Sequence, residues 1–332
     1  MKILPKGFKI GARTVKTVIA ASLAIIIANL LQLEYATAAG IIAILSVGNT
    51  KKSTFKSGKN RLLNFVAAMV IAVSSFSIFG HGVWAFSLFL LIFIPYSAAC
   101  GMSEGIAPNA VLVTHLLIAP QITPQLLLNE FLLNFIAISL AFIVNLKMPN
   151  FQVELSEREK RVEHHFRDLF KRLSFIMAKQ SEQAHFLHKV EDLEHYISDS
   201  LVLARTHMDN RFGDGAGASY DYFAMRATQV EIFREITEIL LQIEVTVQKE
   251  QLAALTQLFK AIGKNYAKEN DGQALMSQVE ATLDTYRASD LPKTRAEFEA
   301  RARLFQILQL IQTFIQIKRD YIHLSEERKR NF

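Results

Sequence analysis

The residues with most chemical potential stand where the chain has least reason to keep them. Between Leu62 and Leu146 there is no Lys or Arg, and the only acids are Glu104 and Glu130, with His115 between them. In apolar surroundings an ionisable group faces a cavity, pairs with a partner, or lies near an interface. Glu104 opens the run EGIAPNAVLVTH, where Gly105 and Pro108 weaken a helix and free backbone groups to line a ligand site. At an interface the same acid would simply favour a helix N-terminus. His115, eleven residues further on, suits proton relay or a neutral hydrogen bond across a bundle. Glu130, with Asn129 and Asn134 nearby, suits proton coupling or structural pairing. Asn64, Asn109 and Asn145 could bind a carboxylate or bridge helices. Arg13, Lys16 and Arg61 stand at the edges of apolar runs. There they would form a cytoplasmic cationic rim that gathers anions, or contact headgroups and set topology.

Such groups need elements that hold them. Apolar runs near 13–33, 36–50, 61–79, 83–99, 104–119 and 124–146 approach or reach the ~20 residues that span a hydrocarbon core. Glu34, the basic stretch 51–61, Gly80-His81-Gly82, the 100–103 segment and Pro120–Pro124 separate them. With a cytoplasmic N-terminus, Lys2, Lys6, Lys9, Arg13 and Lys16 and the basic 51–61 loop lie inside, and the three outer loops hold no Lys or Arg. This is the positive-inside pattern for six spans with both termini in the cytoplasm. The first apolar run exceeds a signal-peptide core and is read as a retained span.

The 332 residues exceed the usual single-domain size. Residues 1–150 hold eleven Lys/Arg against three Glu, and after Met148-Pro149 the sequence turns abruptly charged and helix-favouring. The expectation is all-α: a six-helix transmembrane domain over 1–150, then a cytoplasmic helical domain over 151–332. In the second, Ser156-Glu157-Arg158-Glu159 and Thr294 with Glu297 read as capping boxes, and Gly213–Gly217 and Asn270-Asp271-Gly272 as breaks.

Other chemistry finds little support. Cys100 is the single cysteine, which excludes an internal disulfide and a four-Cys zinc site. His185, His188, Asp192 and His195 share one helical face, but opposite the apolar one, so it reads as solvated. No Walker A, G-x-G-x-x-G, H-E-x-x-H or G-x-S-x-G motif is present. No cofactor, metal or enzymatic activity is expected. The basic excess lies beside apolar runs, which favours a lipid bilayer over nucleic acid as the partner.

Four stretches carry a resemblance: KIGARTVKT (9–17), EGIAPNAVLVTHLL (104–117), NLKMPN (145–150) and YDYFAMRATQVEIF (220–233). Together they are similar to the aromatic acid exporter family of low-GC Gram-positive bacteria, which resembles fusaric-acid resistance proteins and, more remotely, plant anion channels. Many relatives carry Q-P-T after the second helix and G-T early in the third. Here those places read Gly48-Asn49-Thr50 and Asn64-Phe65. The resemblance implies multi-pass residence in the bacterial plasma membrane and efflux of aromatic or other organic acids, for which a proton gradient is a candidate drive. A passive anion channel and a membrane-anchored helical sensing or scaffold protein are the rival readings. Six spans enclose a small pathway, which a homo-oligomer would enlarge.

Overall fold

The computed structural model describes residues 11–179, 183–211, 217–243, 249–265 and 272–330. Lys2, Lys6 and Lys9, most of the Gly213–Gly217 break, Asn270-Asp271 and the His185 side chain lie outside the described part. Among the described residues all regular structure is helical. The chain divides into two compact units, Met1–Pro149 with Asp209–Phe212, and Asn150–Met208 with Gly213–Phe332.

The first unit contains α1 (Ala12–Leu30), α2 (Ala36–Ser46), α3 (Lys51–Phe79), α4 (Val83–Ala99), a 3₁₀ turn (Ser103–Gly105), α5 (Ile106–Ile118) and α6 (Pro124–Asn145). Helices α1, α3 and α6 are long and apolar enough to cross a membrane. The others are shorter: α2 has 11 residues, α4 has 17 and α5 has 13. At 1.5 Å per residue, α2 and α5 reach only about 16–20 Å, against roughly 30 Å of hydrocarbon.

Packing follows from small residues. Ala20, Ala24 and Ala28 of α1, Ala39 and Ala43 of α2, Ala68 and Ala72 of α3, and Ala137 and Ala141 of α6 are fully buried. Each series lies on one helical face and lets backbones approach closely, as in membrane interiors. Large apolar side chains point outward instead: Trp84, Val66, Val70, Leu91 and Ile78 are all well exposed. This inverts the arrangement of a water-soluble core.

Two boundaries differ from expectation. The 36–50 helix stops at Ser46, and the 51–61 stretch, expected as a loop, forms the first turns of α3. Thr50 caps that helix by accepting the Ser53 N–H at 3.2 Å. Gly58 lies against α6, where an added Cβ would come 2.7 Å from Ile138 Cγ2. Lysines are good helix formers, so a basic stretch with a cap before it folds as helix. Arg61 is therefore within α3, not at its start.

The second unit contains α7 (Gln152–Lys179), α8 (Gln183–Asp209), α9 (Ala218–Leu241), α10 (Lys249–Asn265), α11 (Gln273–Ala288) and α12 (Arg295–Arg330). Helix α7 begins four residues before the expected box at Ser156, because Asn150 Oδ1 accepts the Gln152 N–H at 3.1 Å and starts the turn earlier. The core is an aromatic cluster. Phe170 meets Phe233 and Phe314 edge to face at centroid distances of 4.8 and 5.3 Å. Buried beside it, Arg226 pairs with Glu163, Tyr222 donates to Glu163 Oε1 at 2.6 Å, and Gln229 donates to the Phe314 carbonyl at 2.7 Å.

The expected cap at Thr294 forms. The Glu297 N–H donates to Thr294 Oγ1 at 3.1 Å, and Glu297 Oε2 accepts the Lys293 N–H at 2.9 Å. That backbone bond, with Arg301 beside it, holds the Glu297 carboxyl below its usual range. A lowered carboxyl pKa stabilises the fold above the unfolded value, and the contribution is lost as pH falls through the folded value. Thr294→Ala should cost ~1 kcal/mol locally. Hydrogen exchange at residues 295–299 should quicken in that variant. In the wild type the same amides should lose protection at acid pH.

Candidate functional site

Helix α6 carries a row of buried polar side chains on one face. Glu130, Asn134 and Asn145 are all buried along it, separated by Leu133, Ala137, Ile138 and Ala141. Fifteen residues of helix separate Glu130 from Asn145, roughly 22 Å. Three groups of partners meet this stripe at different depths.

At the N-terminal end of α6, Glu130 is fully buried and its Oε2 lies 2.7 Å from His115 Nδ1 of α5. At that separation a proton must sit between the two atoms, on the ring or on the carboxyl. Glu130 Oε1 accepts from Asn129 Nδ2 at 3.1 Å. Asn129 also exchanges hydrogen bonds with the Glu34 backbone, donating at 3.1 Å and accepting at 2.9 Å, which ties α6 to the α1–α2 turn. Tyr35, in that turn, stacks on the His115 ring at 4.1 Å and 9°. Its φ of 57° is left-handed, a conformation that costs a bulky residue ~1–2 kcal/mol and marks a position fixed by its surroundings. Over this end opens a cavity of about 520 Å³, whose walls include Gln32, Glu34, Tyr35, Gln121, Thr123 and Asn129.

At mid-depth Asn134 Nδ2 donates to Asn109 Oδ1 at 3.3 Å, and Asn109 Nδ2 donates to the Arg61 carbonyl at 3.2 Å. Asn134 Oδ1 is buried without a hydrogen-bond partner among the described residues. Asn64 Nδ2 donates to Ser97 Oγ at 3.0 Å and reaches the Met102 carbonyl at 3.4 Å. Gly105 makes room for it: an added Cβ would come 2.8 Å from Asn64 Nδ2 and 3.2 Å from Asn64 Cβ.

At the far end Asn145 Nδ2 donates to Thr54 Oγ1 at 2.5 Å and to the Gly48 carbonyl at 2.9 Å. Lys16 Nζ reaches Asn145 Oδ1 at 3.4 Å, and Arg13 reaches the Val47 carbonyl at 3.4 Å. An added Cβ at Gly48 would strike Ser53 Oγ and Thr54 Oγ1 at 2.6 and 2.8 Å. Only glycine fits this turn. Arg61 is buried, donating to Ser46 Oγ at 2.5 Å and to the Leu45 carbonyl at 2.6 Å. It satisfies the C-terminal end of α2 rather than forming an open rim.

The structure thus joins His115 with Glu130 and Asn109 with Asn134, and leaves Glu104 apart. Glu104 is exposed in the 3₁₀ turn, at the opposite end of α5 from His115, roughly 15 Å along that helix. Sequence reasoning missed Tyr35, Ser97, Ser46 and Thr54. Only Tyr35 carried a signal, as an amphipathic aromatic in a turn between apolar runs.

Apolar outer faces around a buried, hydrogen-bonded polar interior define an integral membrane protein built to handle polar groups inside a bilayer. Residues 8–148 match the model of aromatic acid exporter family member 1, and residues 152–319 match the aromatic acid exporter C-terminal domain. The chain belongs to the aromatic acid exporter family, a family of membrane transport. It is 30% identical over 313 residues to the uncharacterized protein YqjA of Bacillus subtilis (strain 168), covering 94% of this chain and 96% of that protein. A crystal structure of a membrane protein from Clostridium difficile 630 aligns with 51% of this chain and 99% of its own, at 18% identity and a TM-score of 0.45.

Stacked under Tyr35, His115 should resist acylation by diethyl pyrocarbonate in wild-type protein, while the exposed His188 reacts. Tyr35→Ala should make His115 react several-fold faster, read by peptide mass spectrometry. Equal rates at His115 and His188 in the wild type would contradict the stacked geometry.

Proposed function

We propose that this protein exports aromatic or other organic acids across the bacterial plasma membrane, driven by exchange with protons. In this reading α1–α6 form a six-helix membrane domain with both termini in the cytoplasm. The lysine-free α1–α2 and α5–α6 turns then face outward, and the 520 Å³ cavity between them opens to the outside. Arg13 and Lys16 draw anions to the cytoplasmic side. Asn64, Asn109 and Asn134 offer amide groups along the path, where the unpartnered Asn134 Oδ1 is available to a substrate hydroxyl or water.

The observation that carries the proposal is the buried His115–Glu130 pair, separated from that cavity by the Tyr35 and Asn129 side chains that line it. A histidine and a carboxylate in contact can hold one proton or two, at modest cost when a wet vestibule is close. Neutralising the pair with an added proton from outside and releasing it inside would link proton entry to anion exit. Of the two acids first considered, Glu130 fits this role, and Glu104 fits the start of a helix exposed at the cytoplasmic side.

Cells carrying Glu130→Gln should lose uphill export of a test acid such as 4-hydroxybenzoate. Gln keeps the shape but removes a charge-assisted hydrogen bond worth ~1.5–3 kcal/mol, which corresponds to roughly tenfold or more in rate. Glu104→Gln should export as wild type. Both variants are to be matched for membrane expression and detergent elution profile. Wild-type export that follows the anion gradient and ignores a pH step would instead mark a passive channel.

A further inference from the structure

The seam between α7 and α10 holds a second cavity, of about 320 Å³, with no part in the transport path. It exists because Gly263 brings α10 close: an added Cβ there would lie 3.2 Å from Lys171 Cγ and 3.3 Å from the Lys171 backbone nitrogen and Phe170 Cβ. His164, Arg167 and Lys171 fall at i, i+3 and i+7 on one face of α7, and Lys264 faces them from α10. The one acid in the wall, Asp168, already accepts from Arg172 at 2.7 Å. Among the described residues no ion pair engages Arg167, Lys171 or Lys264. Lys264 stands in the last turn of α10, where it partly offsets the carbonyl end of that helix. Arg167 and Lys171 have no such local role.

Three cations lining one concavity whose single acid is already paired make it attractive to an anion. Arginine presents a planar fork for carboxylate or phosphate oxygens, and lysine a point charge beside it. The space equals roughly ten water volumes, enough for inorganic phosphate or a compact polycarboxylate. We propose that this cavity is an effector site of the C-terminal bundle for a small soluble polyanion, bound through phosphate or clustered carboxylate oxygens. Arg167 and Lys171 supply the main contacts, and His164 and Lys264 close the ring.

The test uses the full chain, purified in neutral detergent and titrated calorimetrically with inorganic phosphate and with citrate at low ionic strength. Saturable binding of at least one is expected. The Arg167→Gln/Lys171→Gln double variant should bind about thirtyfold more weakly or worse. Arg167→Lys, which keeps the charge but loses the fork, should fall between the double variant and wild type, and Lys160→Gln, an exposed lysine one turn before His164, should stay within a few-fold of wild type. Unchanged thermal unfolding of the double variant without anion separates lost binding from lost folding. Should it unfold early, Lys264→Gln alone, expected to weaken binding several-fold, takes its place. A lipid phosphate shares the chemistry, so the titration is repeated in phosphatidylcholine nanodiscs with and without phosphatidylglycerol. Binding of soluble anion in the lipid-free and phosphatidylcholine samples supports the proposal. No saturable binding of either anion, equal binding by the double variant, or effects seen only with phosphatidylglycerol would each overturn it.

Discussion

A carboxyl group surrounded by hydrocarbon has no water to solvate it, and Glu130 is fully buried in a unit whose outer surface is apolar. A polar side chain buried in that unit is favoured where it finds a partner within the protein, because an unpaired group costs several kcal/mol there. This preference explains the alanine faces, which bring helices close enough for short side chains to meet. It also explains the glycines at 48, 58 and 105, each opposite a side chain that would collide with a Cβ. Close approach and polar pairing are one design: Asn64 reaches Ser97 and Met102 only because Gly105 leaves the space.

The two units solve the burial of charge differently. In the C-terminal bundle, Glu163 pairs with Arg226, whose guanidinium does not lose its proton in a protein. Burial pushes the Tyr222 hydroxyl far above its ordinary pKa, so it remains a donor to Glu163 at any ordinary pH. Such a cluster joins α7 to α9 through fixed partners and specifies packing. In the membrane domain the carboxylate meets an imidazole, the side chain best suited to gain and lose a proton under ordinary conditions. Each unit thus buries a glutamate, one against a guanidinium and one against an imidazole.

Much of this was legible in the residue order. The stretch without Lys or Arg from Leu62 to Leu146 announced the membrane domain, and within it few polar residues were available to matter. Glu130, His115, Asn109 and Asn134 stood out by type alone. Their pairing did not, because His115 and Glu130 meet where α5 and α6 both pack against α2 and α3, and spacing along one helix carries no information about the next. Arg61 was misjudged for a related reason. A basic stretch looks like a loop until a cap such as Thr50 starts a helix ahead of it, and the buried end of α2 that draws the guanidinium inward is visible only in three dimensions. Tyr35 showed only as an amphipathic aromatic in a turn, because its left-handed backbone and its stacking are both imposed from outside the turn.

The short helices sharpen the distinction between structural and working polar groups. Because α2 and α5 end inside the unit, their termini leave backbone groups that need side-chain partners. Arg61 serves the Leu45 carbonyl, Asn145 serves the Gly48 carbonyl, and Asn64 reaches the Met102 carbonyl just before α5. Asn109 serves the Arg61 carbonyl within α3. Arg61 and Asn145 thus serve backbone groups at the end of α2, whereas Asn64 and Asn109 add a donor to carbonyls at the start of the 3₁₀ turn and within α3. The His115 and Glu130 side chains serve no backbone group among the described residues; they bond to each other, to Asn129 and, by stacking, to Tyr35. A leucine and an isoleucine would pack there without any polar obligation. The pair instead stands one side chain, Tyr35 or Asn129, from the 520 Å³ cavity.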